Sequence, residues 1–337
     1  VAIIGCGRIS HKIAEGIAKN HDRMRLVALC DPIEEKMFET EKTYNKKIEN
    51  ELSLLKYKDY KEILDQNKID IAIISTESGY HEDIGLYFLE NGVNLIIEKP
   101  LAMSIEGAQK LVDTAKKNNL KLAASHQNRF NYPIQLLKKA IKENRLGKIF
   151  NGMARILWTR DDNYYLQAPW RGTWALDGGT LMNQCIHNID LINWMMDDEI
   201  DTVYAQTSNY IRNIEAEDYG VILIRYKSGK IATIEGSAIV YPKNLEETLT
   251  ITGEKGTVVI GGMAVNKINT WRVEGDNEQE YLSIDCGDPN SVYGYGHEAL
   301  YKDFVDALDE NREPLVNGKA GLEAVKIILA AYKSQKT

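Results

Sequence analysis

The first half of the chain alternates short, nearly unbroken apolar runs with segments whose apolar residues recur at helical spacing. Val1 to Ile4, Met24 to Cys30, Ile69 to Ser75, Val93 to Ile97 and Leu120 to Ser125 are runs of the first kind. The second kind comprises the stretch carrying Ile9, Ile13, Ala14, Ile17 and Ala18, a short piece from Tyr60 to Leu64, His81 to Asn91, and Ser104 to Asn118. Strands apolar on both faces and separated by amphipathic helices predict a parallel sheet covered on both sides. Functional residues in such a sheet belong beyond the C-terminal ends of its strands.

From Lys148 the period changes. Phe150 to Trp158, Thr202 to Tyr210, Tyr219 to Tyr226, Lys230 to Ile239, Glu247 to Gly253 and Thr257 to Ile260 read as strands, divided by turn signals such as Ser228-Gly229 and Glu254-Lys255-Gly256. They predict an antiparallel sheet with one helix, residues 180 to 196, inserted before most of it. Leu137 to Leu146 reads as a helix joining the halves, and helices at about His297 to Asn311 and Lys319 to Tyr332 close the chain.

The stretch from Tyr164 to Trp194 puts polar groups inside an otherwise apolar helix. At about 100° per residue, Asn183, His187 and Asp190 fall in one narrow arc, flanked by Leu181, Met182, Ile186, Ile189, Leu191 and Ile192. A buried polar stripe must be satisfied or used. One reading is a core histidine held by Asp190, with Asn183 bonded to backbone. The other is a reaction site, with Gly178 and Gly179 just before the helix letting a cofactor ring approach.

Composition narrows the choice of partner. The 337 residues are 44% hydrophobic and 27% charged, which suits a globular chain of about two domains. A net charge of −8 and a pI near 5.4 argue against nucleic acid. No apolar run reaches the roughly 20 residues of a membrane span. Cys6, Cys30, Cys185 and Cys286 lack metal-ligand spacing, so a reduced, cytoplasmic protein without a metal is expected. Val1 opens straight into a strand, and a few further residues are expected upstream.

Two local features carry chemistry in the first half. Gly5-x-Gly7-x-x-Ser10 lies between a strand and a helix, and the next strand ends on Asp31, 24 residues after Gly7. A dinucleotide fold places its pyrophosphate at such a turn and its ribose on such an acid. Ser10 stands where a third glycine or alanine is usual, yet is small enough to keep helix and sheet close. Asp31 would repel a ribose 2′-phosphate, and no arginine directly follows it, so NAD is favoured over NADP. Thr76, Lys99 and Gln127 lie at or just past strand ends. An ammonium there, beside Glu98 and before Pro100, is costly unless paired or catalytic; the alternative is a Glu98–Lys99 surface pair of little consequence.

Together the glycine turn, Ile74-Ser75-Thr76, His81, Glu98-Lys99-Pro100, Gln127-Asn128-Arg129-Phe130 and the Gly178-Gly179…His187…Asp190 pattern resemble the Gfo/Idh/MocA oxidoreductases nearly end to end. The resemblance implies an α/β chain: an N-terminal Rossmann domain, residues 1–126, and a C-terminal α/β domain, residues 127–337, built on a large open, mostly antiparallel sheet. The closing helices are free to pack back on the first domain. NAD would be held by Gly5, Gly7, Arg8, Ile9 and Asp31, by Ser75, Thr76, His81, Glu98, Lys99 and Gln127, and by Trp170. Lys99 and His187 would line the site beside the nicotinamide. The family's usual aspartate four residues before that histidine is Asn183 here, so no base role is carried over to it.

The stretch from Tyr164 to Trp194 further resembles the nucleotide-sugar branch, the UDP-N-acetylglucosamine and UDP-N-acetylglucosaminuronate 3-dehydrogenases. That implies oxidation of a sugar C3 hydroxyl, with His187 as base, Lys99 bonding the reacting oxygen or itself serving as base, Asp190 orienting the imidazole and Asn183 holding substrate or Lys99. Arg160 and Arg171 would grip a diphosphate, with Tyr164, Tyr165 and Trp170 against sugar or base; alternatively Arg171 pairs with Asp177 or touches NAD. Free sugar or cyclic polyol oxidation, NAD-dependent glycoside cleavage and a non-catalytic NAD sensor are the competing readings. The sheet's second face is expected to pair copies into a dimer or tetramer.

Overall fold

The computed structural model describes residues 1–66, 68–287 and 294–336. The chain forms two compact units, Val1–Ser125 with His297–Val325, and His126–Gly296 with Lys326–Thr337.

The first unit runs β1 (Ala2–Ile4), α1 (Ser10–Lys19), β2 (Ala28–Cys30), α2 (Glu34–Ile48), β3 (Leu55–Tyr57), α3 (Glu62–Gln66), β4 (Ile71–Ile74), α4 (His81–Glu90), β5 (Asn94–Ile97), α5 (Ile105–Lys117) and β6 (Leu122–Ala124). Its six strands are parallel, in the order β3-β2-β1-β4-β5-β6, with the chain reversing direction of travel between β1 and β4. Every residue of β1, β2, β4 and β6 is buried, as a sheet sandwiched between helices requires. The second strand is shorter than its apolar run, because the Met24 amide is still held by the Asn20 carbonyl at 2.7 Å and pairing with Val1 and Leu55 begins only at Val27. Ser104 caps α5 by accepting the Gly107 amide at 2.9 Å, which fixes where that helix starts.

The second unit contains α6 (Tyr132–Lys142), β7 (Ile149–Leu157), α7 (Asp162–Leu166), α8 (Thr180–Asn183), α9 (Ile186–Met196), β8 (Ile200–Ser208), β9 (Tyr219–Tyr226), β10 (Ile231–Ser237), β11 (Glu246–Gly253), β12 (Gly256–Gly261), β13 (Lys267–Val273) and α10 (Glu278–Leu282). Its strands lie in the order β13-β12-β11-β7-β10-β9-β8. All neighbours are antiparallel except β7 and β10, which pair in parallel because the chain leaves β7 through α9 before returning. Two helices follow, α11 (Gly296–Asp309) and α12 (Gly318–Gln335), the latter passing from the first unit into the second at Val325. Among the described residues no helix is long and apolar enough to cross a membrane.

The single helix expected over residues 180 to 196 is two helices. The Thr180 carbonyl accepts both the Gln184 amide at 3.0 Å and the Cys185 amide at 2.9 Å, so the turn widens and the helix restarts at Ile186. Packing against the sheet explains the break. Gly220 of β9 and Gly236 of β10 face each other in register. A Cβ on Gly236 would meet the Cys185 sulfur at 2.4 Å, and one on Gly220 would meet Leu181 at 2.9 Å. The glycines thus form a bare floor onto which the widened turn settles.

Candidate active site

The glycine turn is built by close approach. Gly5 has φ +93°, and a Cβ there would lie 2.6 Å from the Ser75 backbone, so only glycine fits between the ends of β1 and β4. The Ser75 hydroxyl donates to the Gly5 carbonyl at 2.7 Å. Above Gly7 the space is open, with nothing within 4 Å of a built Cβ. Ile9 is the N-cap of α1, and the exposed Arg8 precedes it. Ser10 bonds the Gly7 carbonyl at 2.7 Å and lies 2.9 Å from the Thr40 hydroxyl, joining α1 to α2 instead of leaving a void. Across the turn, Asp31 is buried and aimed: one oxygen accepts the Cys6 amide at 2.9 Å, the other the Ile33 amide at 2.9 Å. An open glycine turn, a helix start and a fixed carboxylate at its rim fit the pyrophosphate and ribose of a dinucleotide.

At the ends of β4 and β5 the side chains brace one another. The buried His81 ring sets Nδ1 2.7 Å from the Pro100 carbonyl and Nε2 3.2 Å from the Thr76 carbonyl. Burial lowers its pKa to about 4, so the ring is neutral and donates to one of these at a time. Its part is to tie the Thr76 loop to the Lys99–Pro100 segment. Glu98 is buried too, which corrects the surface pair that sequence allowed. Its Oε1 lies 3.9 Å from His297 Nε2. Burial raises the Glu98 pKa against the pull of Lys99, and lowers that of His297 to about 4. Lys99 is left half-buried beside an acid that resists ionisation.

In the second unit the polar stripe is divided among separate partners. Asp190 is turned to Arg129. Arg129 donates Nε to its Oδ2 at 2.7 Å and Nη2 to its Oδ1 at 2.5 Å, while the guanidinium lies 4.8 Å from the Trp194 ring centre. The half-buried His187 instead meets His126 edge-to-face, ring centres 5.7 Å apart. Asn183 donates its amide to Asp177 Oδ1, and Asp177 Oδ2 accepts the Gly172 amide at 2.7 Å. Position 183 therefore presents an oriented amide with a carboxylate behind it. Gln127 is buried in the single turn Gln127–Phe130.

Arginines and aromatics of residues 158–171 form one cluster. Arg160 lies 4.7 Å from the Trp158 ring centre and 5.3 Å from that of Tyr164. Arg171 lies 4.4 Å from Tyr164 and 4.7 Å from Trp170, and donates to the Tyr164 hydroxyl at 2.7 Å. Tyr165 stands perpendicular to Tyr164, ring centres 5.1 Å apart. Asp161 holds the first turn of α7 by accepting the Tyr164 amide at 3.0 Å. Gln184, in the widened turn, reaches the Tyr164 hydroxyl at 3.5 Å. The cluster and the helix that carries His187 are thus physically joined.

Family models match both halves: an oxidoreductase family with an NAD-binding Rossmann fold over residues 1–126, and the GFO/IDH/MocA C-terminal domain over residues 134–259. The chain belongs to the Gfo/Idh/MocA family. It is an NAD-dependent oxidoreductase, and its relatives include sugar and inositol dehydrogenases. The WlbA dehydrogenase from Bordetella pertussis, solved in complex with NADH and UDP-GlcNAcA, is 33% identical, with TM-score 0.88 over 99% of this chain and 94% of that one. The myo-inositol 2-dehydrogenase of Thermotoga maritima is 24% identical over 99% of this chain and 95% of its own. A levoglucosan dehydrogenase complexed with NADH and levoglucosan, 21% identical with TM-score 0.84 over 99% of this chain and 96% of that one, shares the fold.

Within this Gfo/Idh/MocA chain the structure brings in three residues that the sequence did not assign, His126, Arg129 and Glu217, and gives Asp177 to Asn183 and the Gly172 amide, while Arg171 bonds Tyr164. Arg129 lies in the Gln127–Phe130 motif and Asp177 directly before the glycine pair, so both had a local signal. His126 and Glu217 had none, because their partners lie 61 and 36 residues along the chain, at His187 and Leu181.

Proposed function

We propose that the chain oxidises the C3 hydroxyl of a UDP-linked N-acetylated hexose, or its uronate, to the 3-keto sugar. The observation that carries this reading is the convergence of Arg160 and Arg171 on Tyr164. Two guanidiniums, held by aromatic faces rather than by carboxylates, suit the oxygens of a diphosphate in an otherwise acidic protein. The 33% identical WlbA neighbour, solved with UDP-GlcNAcA, supports the same class of substrate.

In this reading His187 accepts the hydroxyl proton, since imidazole is the side chain best suited to general-base work near neutrality. Lys99 hydrogen-bonds the reacting oxygen and stabilises its developing charge. Asn183, its amide N–H₂ committed to Asp177, turns its carbonyl oxygen to the substrate as an acceptor. NAD, when bound, supplies the acceptor for the hydride that leaves C3. Grip on the diphosphate, remote from the reacting carbon, holds C3 in place for transfer.

Incubating protein and NAD with UDP-GlcNAc, UDP-GlcNAcA, free N-acetylglucosamine and myo-inositol, followed at 340 nm and by mass spectrometry under single-turnover conditions, tests the reading. A 3-keto UDP sugar is expected. Equal turnover of free N-acetylglucosamine and its UDP conjugate, or faster turnover of myo-inositol, would favour the polyol reading that the Thermotoga maritima relative supports. The free state of all four cysteines suits the cytoplasm. The in-register row Tyr204, Leu223, Thr233 and Met153 on the outer sheet face, exposed except for the half-buried Thr233, suits pairing of copies.

A further inference from the structure

Glu217, two residues before β9, is buried and lies at the start of the helix pair that carries Asn183 and His187. Its backbone carbonyl accepts the Thr180 amide at 2.9 Å, and its Oε1 accepts the Leu181 amide at 2.9 Å. Two of the amides that a helix start leaves unsatisfied are thus taken by one residue. The approach is so close that a Cβ on Gly179 would fall 2.0 Å from Glu217 Oε2. That contact explains the second glycine of the pair without reference to any ligand. The same Oε1 accepts the Tyr332 hydroxyl at 2.9 Å.

Tyr332 is itself fixed. Its ring stands perpendicular to that of Trp174 at 5.1 Å, and the Trp174 amide donates to Glu215 Oε2 at 3.0 Å. Near the end of α12, Gln335 donates to the Thr207 carbonyl at 3.0 Å and the Ser334 hydroxyl accepts the Ala205 amide at 3.3 Å, fastening the helix to β8. The path runs from a helix end anchored on the sheet, through one hydroxyl and one carboxyl oxygen, to the first turn of α8.

We propose that Glu217 is a positioning residue, a strut between Tyr332 and the Gly178–Gly179 turn that sets where Asn183 and His187 stand. The proposal rests on the reading that those two residues serve the reaction. Both donors meet Oε1, so the strut needs only an acceptor there. Burial raises the carboxyl pKa to about 7, and in its acid form the proton sits on Oε2, leaving Oε1 still an acceptor.

Three variants test it: Glu217→Ala, Glu217→Gln and Tyr332→Phe, each read by amide exchange across residues 178–184 and by kcat and KM with UDP-GlcNAcA. Glu217→Ala should raise exchange at Thr180 and Leu181 roughly tenfold or more and lower kcat by about tenfold or more with the NADH dissociation constant unchanged. Glu217→Gln, which keeps the acceptor, should restore both readouts to within about threefold of wild type. Tyr332→Phe removes one donor, leaves the helix intact and should raise exchange in the same segment, so a poorly folding Glu217→Ala does not end the test. Unchanged exchange in Tyr332→Phe together with unrescued loss in Glu217→Gln would overturn the strut. Raised exchange with unchanged kcat, while His187→Asn abolishes turnover, would overturn its positioning role. If His187→Asn keeps wild-type turnover, the functional reading itself falls, and the exchange data still judge the strut.

Discussion

Arg129 and Asp190 form a two-bond ion pair in which both side chains are buried, 8% and 2% exposed, with Trp194 stacked beneath the guanidinium. Removing one partner of such a pair leaves an uncompensated buried charge, at a cost of about 3–5 kcal/mol. Asp190→Ala and Arg129→Ala should therefore each lower the melting temperature sharply, and the double variant should lose less than their sum. Because Asp190 is turned to Arg129, Asp190→Asn should leave the pH profile of kcat in place. A shift of the acidic limb in that variant would show that Asp190 acts on the imidazole after all.

Asp31 offers a test of cofactor choice. Its two oxygens are held by the Cys6 and Ile33 amides, so the carboxylate cannot swing away from an incoming 2′-phosphate. Asp31→Ser combined with Ile33→Arg, at an exposed position beside it, should shift preference toward NADPH by on the order of tenfold or more, since it removes a repulsion and adds a fork for phosphate. Fluorescence titration with NADH and NADPH gives the ratio; no gain for NADPH would place the ribose elsewhere.

Asn183 and Asp177 are matched as donor and acceptor. Restoring the family's aspartate by Asn183→Asp would set two carboxylates against each other, and the pair could not ionise together near neutrality. We expect lowered kcat and a melting temperature that falls as pH rises. The exchanged pair, Asn183→Asp with Asp177→Asn, recovers the hydrogen bond and should recover most of the loss. If the single variant matches wild type, the carboxylates are not in contact.

These residues also show what a sequence can carry. The glycine turn and Asp31 were legible because their meaning is local: a strand, a tight turn, a helix and an acid at fixed spacing. The fate of the helix stripe was not, since Asp190 is claimed by Arg129, 61 residues away, and the helix is broken by glycines of β9 and β10 that follow it in the chain. Helix α2 carries no periodic apolar face, because only Met37, Thr40 and Tyr44 of its 15 residues are buried. Strand β13 was hidden by a bulge: Val259 pairs with Thr270 and Ile260 with Ile268, so Asn269 is skipped and the alternation of buried residues changes phase.

Glu247 predicts how stability depends on pH. It is buried on the inner face of β11, and burial pushes its pKa up to about 8, against the pull of the nearby Asn188 amide and the charge of Arg160. The folded protein keeps a proton that the unfolded chain releases above about pH 4.5. Its contribution is thus full below that value and lost as pH rises toward 8, by up to about 1.4 kcal/mol per pH unit. Glu217 adds a loss of the same sign ending near pH 7. Below about pH 6.5 the buried, neutral His81 and His297 add a slope of opposite sign; above it, denaturant melts of wild type should show stability falling toward pH 8, and Glu247→Gln should flatten that fall. A parallel slope in the variant would mean that Glu247 is ionised in the fold.

The arginine cluster carries the substrate reading and can be tested apart from folding. Arg160 and Arg171 flank one tyrosine, and Arg171 also takes the Tyr164 hydroxyl, so loss of either guanidinium leaves the other stacked in place. Each diphosphate oxygen lost from a charge-assisted bond costs about 1.5–3 kcal/mol, roughly a tenfold to hundredfold change in binding. Arg160→Ala and Arg171→Ala should each reduce kcat/KM for the UDP sugar by about that factor, and the double variant by more, while NADH affinity stays within about twofold. Lysine at either position keeps the charge but not the fork, and should recover only part of the loss. The decisive contrast is with the free sugar: removing the guanidiniums should leave its slow turnover untouched, because it has no diphosphate to lose. A double variant that slows both substrates equally would mean that the arginines hold the fold of α7 rather than the nucleotide.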